Sequence, residues 1–177
     1  MKKFTLFSLV MLSAALAFTS CSKELDPGQV RTKEVAVSLA TRLPSAPQSR
    51  AVTEQVADIE GYHLRYILEI WTSGNKPELY KRIVKEADAD KTTSFDVTLL
   101  SGRTFDFLLW ADYAEDGGNE DMHYTTVNGL KEVSRSEKTY ITDEQHDYKL
   151  AATRDAFSAH KQVTADAPIN ETITLTR

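Results

Sequence analysis

The 177-residue chain has a single cysteine, Cys21, and that scarcity excludes a good deal. One thiol cannot close an internal disulfide or build a cysteine-based zinc site. Positive charge is also short: 21 Lys and Arg face 26 Asp and Glu, for a formal net charge of −5. Phosphate backbones are gripped by clustered Lys and Arg, so nucleic acid is not an expected partner. Missing too are a Gly-x-Ser-x-Gly elbow, a phosphate-cradling glycine loop and a dinucleotide fingerprint. The four histidines, His63, His123, His146 and His160, lack His-x-His or His-x-x-x-His spacing, and no metal or other cofactor is expected. Among 26 acids some carboxylate pair suited to glycoside hydrolysis always exists, but none stands out. A hydrolase is therefore a reserve reading, and the chain is expected not to be an enzyme.

What is present begins at the N-terminus. Met1-Lys2-Lys3 is basic, and Phe4 to Ala17 is a nearly unbroken apolar run. That run is shorter than the roughly 20 residues a spanning helix needs, and residues 1–20 read as a secretory signal. Phe18-Thr19-Ser20-Cys21 resembles a bacterial lipobox, departing from it at Phe18, where leucine is usual. The resemblance implies cleavage between Ser20 and Cys21 and a lipid on Cys21. The mature chain would keep 19 basic residues against 26 acids, a charge of −7. Residues 21–32 form a polar tether with a Pro27-Gly28 turn signal. Within it, Lys23 and Glu24 resemble the short charged tags that send Bacteroidetes-type lipoproteins to the outer face of the outer membrane.

Residues 33–177 are expected to form one β-sandwich domain, which could be the N-terminal part of a longer protein. Strand signals recur with short turns between them. Lys33 to Thr41 alternates Val35, Val37 and Leu39 against Glu34, Ala36 and Ser38. Arg42 to Arg50 then carries two prolines within four residues and reads as a loop. Ile59 to Thr72 sets Tyr62, Leu64, Tyr66, Leu68 and Ile70 on one face, with Ser73-Gly74-Asn75 as a turn. Lys76 to Ala87 fits a helix by local spacing and a strand by its place after that turn; the strand is preferred. Thr93 to Leu100, with Phe95, Val97 and Leu99 inward, leads through Ser101-Gly102-Arg103, read as a short hairpin loop, into Thr104 to Tyr113, the expected central strand. There Phe105, Phe107, Leu109, Ala111 and Tyr113 face a core, and Asp106, Leu108, Trp110 and Asp112 face a half-covered side.

Beyond Tyr113 the pattern weakens. Asp112, Glu115, Asp116, Asn119, Glu120 and Asp121 make an acidic stretch that could offer oxygens to calcium, but without the Asp-x-Asp-x-Asp-Gly spacing it reads first as a solvated loop. One helical turn is expected around Leu130. Brief strands are expected at Lys138 to Ile141 and Asp147 to Ala151, a turn at Arg154 to Ser158 with Phe157 inward, and a last strand at Glu171 to Thr176. Trp71 and Trp110 sit on outer faces, either as a sugar-stacking platform or covered by segments such as that around Phe157; covered is preferred.

The lipobox start, the strand Gly61 to Trp71, Phe107 to Tyr113 with its Trp-Ala-Asp-Tyr, the Tyr124–Leu130–Val133 segment and Arg154-Asp-Ala-Phe157 together resemble the fimbrillin-like lipoproteins of Bacteroidetes. More closely, they are similar to the N-terminal domain of an uncharacterised branch of that group. The resemblance implies an all-β, transthyretin-like Greek-key sandwich of about seven antiparallel strands with little helix. It also implies a non-catalytic role at the cell surface, in a fimbrium or in adhesion. The implied partners are outer-membrane lipid through Cys21 and other fimbrial subunits by strand addition. In polymerising members a protease cuts after an arginine near the first strand. Arg50-Ala51 is the matching candidate here, with Arg42 competing. The alternative is a glycan- or host-ligand-binding lipoprotein on the same sandwich.

Overall fold

The computed structural model of the chain describes residues 33–44, 58–136 and 153–177. Nine strands follow one another: β1 Glu34–Arg42, β2 Tyr62–Thr72, β3 Leu79–Glu86, β4 Thr93–Leu100, β5 Thr104–Glu115, β6 Tyr124–Thr125, β7 Ser134–Arg135, β8 Ala156–Thr164 and β9 Ile169–Thr174. Seven of them build two sheets, ordered β4-β1-β9 and β3-β2-β5-β8, and β6-β7 form a small ribbon. The helix among the described residues is one 3-10 turn, Leu130–Glu132, at the place expected. The fold is an all-β sandwich.

Alternation puts the core between the two sheets. β4 buries Thr93, Phe95, Val97 and Leu99 and exposes Ser94, Asp96 and Thr98. β1 buries Val35, Val37, Leu39 and Thr41 against them. From the large sheet come Leu64, Tyr66, Leu68 and Ile70 of β2, Phe105, Phe107, Leu109, Ala111 and Tyr113 of β5, and Phe157 and Val163 of β8. The inward sets read from β1, β2, β4 and β5 are the observed ones. β5 lies inside the large sheet, flanked by β2 and β8. The ambiguous Lys76 to Ala87 stretch is strand β3, paired with β2 through seven register positions with a bulge at Ile70/Trp71.

Ser101-Gly102-Arg103 is not a hairpin loop, because it carries the chain from β4 in the small sheet to β5 in the large one, and the structure departs from the sequence reading in three further places. Arg154 to Ser158 is a turn only at Thr153 and Arg154; from Ala156 it enters β8, a nine-residue edge strand on β5. Phe157 does point inward, buried opposite Ala111. One pair also departs from the antiparallel rule: β9 runs parallel to β1, Val37 beside Ile169 and Arg42 beside Thr174. β9 crosses over from β8 through residues 165–168 and arrives already running in the direction of β1. Third, β2 is buried on both faces from Leu64 to Ile70, where a one-sided strand would alternate. The brief strands expected at Lys138 to Ile141 and Asp147 to Ala151 lie outside the described residues.

Both long edges of the sandwich are laced by side chains. Lys85 Nζ donates to the Ser94 carbonyl at 2.7 Å, and the Tyr80 hydroxyl donates to the Thr98 carbonyl at 3.4 Å. On the other side Lys161 pairs with Glu171, and Ser158 and Thr176 exchange backbone bonds of 2.8 and 2.9 Å. Phe107 is fully buried, so Phe107→Ala should lower unfolding stability by about 3–5 kcal/mol. Thr172→Ala, on the exposed face of β9, should stay within about 0.5 kcal/mol. Urea denaturation of the two variants checks the contrast.

Candidate functional site

The outer face of the large sheet carries charge where a core-facing strand would carry none. Across β2 and β5 it reads, pair by pair, Arg65 beside Asp112, Ile67 beside Trp110, Glu69 beside Leu108 and Trp71 beside Asp106. Arg65, Glu69 and Asp112 are 1%, 0% and 1% exposed, which an unpaired ion would not survive. Arg65 Nε donates to Asp112 Oδ1 at 2.6 Å and Nη2 to Oδ2 at 3.1 Å, a two-pronged fork. The same guanidinium donates to Asp121 Oδ1 at 2.8 Å and to the Asn119 carbonyl. Burial opposes its charge, and Asp112 and Asp121 outweigh that, raising its pKa.

Glu69 is the second anchor. It accepts from Arg82, from Trp71 Nε1 at 2.9 Å and from the Leu130 backbone N–H at 2.8 Å. Arg82 also donates to Thr126 Oγ1 at 2.8 Å. Asp121 in turn accepts from the Thr126 hydroxyl at 2.7 Å and from the Thr126 and Val127 N–H groups. Burial works to raise the Asp121 pKa, while the Thr126 N–H and hydroxyl and Arg65 prevail and hold it below the usual carboxylate value. Residues 116–136 are thereby bound as a cover over β2 and β5. Gly129 holds φ at +100° there, and a Cβ would meet the Glu69 carboxylate at 3.4 Å.

The cover decides the status of several residues singled out above. Trp110 packs edge-on against Tyr124 at 5.2 Å, and Lys131 Nζ stands 3.8 Å above the Trp71 ring. Both tryptophans are half-buried, under residues 124–131 and not under the Phe157 region. The acidic stretch is not uniformly solvated, because Asp112 and Asp121 turn inward onto Arg65. No group of three or more His, Cys, Asp and Glu among the described residues is placed to hold a metal ion. Sequence reasoning missed Arg65, Glu69, Arg82 and Asp121 as a network. The available signal was Ile67, Leu108 and Trp110, large apolar residues on a nominally outward face.

Ser73, Asp106 and His160 also converge at one end of this face. The Ser73 hydroxyl donates to Asp106 Oδ2 at 2.6 Å, and His160 Nε2 lies 3.2 Å from Oδ1. The aspartate is the middle member, so the hydroxyl is not addressed by the imidazole and the set lacks the wiring of a nucleophilic triad. His63 lies apart, its Nδ1 3.4 Å from both Glu86 and Asp116, on a cleft of about 560 Å³ shared with Tyr62, Lys91 and Tyr113.

The small sheet offers a different kind of site. β1 is its middle strand, antiparallel to β4 on one side and parallel to β9 on the other. Arg42 closes β1, its Nε donating to Thr174 Oγ1 at 2.8 Å, so this arginine is engaged in the sheet. Ser20, Cys21, Arg50 and Ala51 lie outside the described residues.

The model of one protein family, described as a family of unknown function (DUF6562), matches residues 27–177. No curated protein and no solved structure matches the chain.

Arg65→Ala strands the buried Asp112 carboxylate and should cost about 3–5 kcal/mol. Arg65→Met combined with Asp112→Leu removes both charges and should recover most of that loss. Chemical denaturation of the single and double variants reads the difference.

Proposed function

The chain belongs to that family of unknown function, and we propose that it is a lipid-anchored structural subunit of the cell surface, of the fimbrial or adhesive kind and without catalysis. In this reading Cys21 ties the uncleaved protein to the outer membrane, and it parts from the domain together with β1 when the chain is cut. Cleavage between Arg50 and Ala51 frees β1, and a strand of another subunit takes its seat.

The observation that carries the reading is the position of β1. It fills the middle of a sheet, yet it is joined to the rest of the domain only through residues 43–61 before β2. Once that connection is cut, only sheet hydrogen bonds and side-chain packing hold it. Its departure would leave β4 and β9 facing each other across about 10 Å, two strand spacings. Both would show unpaired backbone groups, which invite another strand. Val35, Val37 and Leu39 are at most 3% exposed. Each contributes about 1.5–3 kcal/mol by burial, so an empty seat is costly and a matching apolar strand is taken up. The walls do not depend on β1 alone: β4 is tied to β3 by Lys85, and β9 to β8 by Lys161 and Thr176. The glycan-binding alternative draws no support from Trp71 and Trp110, which the cover half-buries.

The test uses the full-length protein on intact cells. An arginine-specific protease is added, new N-termini are read by mass spectrometry, and surface labelling runs in parallel. The expected result is a surface-labelled protein with a new end at Ala51 and multimers that form only after cleavage. An uncut or persistently monomeric protein overturns strand exchange, and a protein inaccessible from outside overturns the surface assignment.

A further inference from the structure

Among the described residues, three buried ring nitrogens have no hydrogen-bond partner: His63 Nδ1, Trp110 Nε1 and His123 Nδ1. For His63 the lack is mild, since two carboxylates stand 3.4 Å away and a proton there would be paired. Trp110 does not titrate. His123 differs from both. It is 7% exposed, at the foot of the cover, and its Nε2 lies 2.7 Å from Thr153 Oγ1. Its carbonyl accepts from the Ser136 N–H at 2.8 Å, closing the β6–β7 ribbon. The ring is therefore fixed to the sandwich by Thr153 and to the cover by its own backbone.

A neutral imidazole needs one donor bond and one acceptor bond, while an imidazolium must donate from both nitrogens. Among the described residues the second donor would point at no acceptor, and the nitrogen that carries it is buried. The charged groups facing the ring are Arg154, from the turn before β8, and Asp112, from β5. Asp112 already accepts two bonds from Arg65, and Arg154 is a like charge for an imidazolium.

We propose that His123 is an acid-sensitive latch: its protonation expels the ring from its seat and lifts the 116–136 cover from the outer face of the large sheet. Opening uncovers Trp110, Trp71 and the Arg65–Asp112 pair. Burial first, and Arg154 second, hold the His123 pKa below the ordinary 6.5, with Asp112 opposing. The latch is thus fully closed above that ordinary value and weakens as pH falls below it. The device is independent of β1 and holds whether or not strands are exchanged.

Both tryptophans lie under the cover, so their quenching by neutral acrylamide reports its opening. Between about pH 7.5 and about pH 5, the range in which histidine changes charge, the quenching constant should rise at least about twofold while far-ultraviolet circular dichroism stays unchanged. His123→Gln should abolish the pH dependence, and His63→Gln and His160→Gln should keep it. A flat wild-type profile, or the same rise in His123→Gln, overturns the proposal. If His123→Gln does not fold, an NMR titration of the wild-type His123 ring decides. A midpoint below 6.5 that coincides with the rise in quenching supports the latch, and a midpoint at or above 6.5 overturns it.

Discussion

The fork between Arg65 and Asp112 is the constraint that the large sheet depends on. Two ions out of water survive there because each oxygen of Asp112 is met by its own guanidinium N–H, and the remaining donors reach Asn119 and Asp121. Those last two residues belong to the chain that crosses the sheet, so one side chain both neutralises the face and fastens what covers it. A purely apolar face would be covered by any greasy segment. This face accepts only one that brings a carbonyl and a carboxylate to the right places, a demand for specificity rather than for maximal stability.

From that fork the rest of the outer layer follows. With Asp121 held by Arg65, its second oxygen orders the Thr126 and Val127 N–H groups, and Thr126 meets Arg82. Arg82 and the Leu130 N–H then satisfy Glu69, the other buried ion on β2. The result is a third layer without regular secondary structure beyond a short ribbon and a 3-10 turn. Its energy lies in ions and hydrogen bonds more than in area.

The two-sheet frame was largely legible because the inward sets of β1, β2, β4 and β5 are unbroken apolar series at period two, with polar or small outward residues in β1 and β4 and mixed charged and apolar ones in β2 and β5. β8 hid itself: its inward series is Phe157, Ala159, Lys161, Val163, with a lysine where an apolar residue would announce a strand. Lys161 is tolerated because β8 is an edge strand and its amine reaches Glu171 on β9. The direction of β9 was illegible too, since alternation does not tell parallel from antiparallel. The polar network was hidden for another reason. Arg65 and Asp112 are 47 residues apart, and only the register of β2 on β5 makes them neighbours. Large apolar residues between the charges marked the face as covered, but not by what.

The seat of β1 has a consequence for the order in which the domain forms. Its partners lie far along the chain: Arg42 and Thr174, bonded to each other, are separated by 132 positions. Closing so long a loop is entropically costly and is repaid only after both ends are in place, so such pairings form slowly. The hairpin β2–β3 needs no such wait. A chain made from its N-terminus therefore presents the β1 segment first and seats it among the last. For an interval in every molecule's history the small sheet has a vacant middle. Folding in that order leaves the β1 segment and its groove apart for a time, and a neighbouring molecule's segment then competes against one tethered through residues 43–61, whose effective concentration is on the order of millimolar.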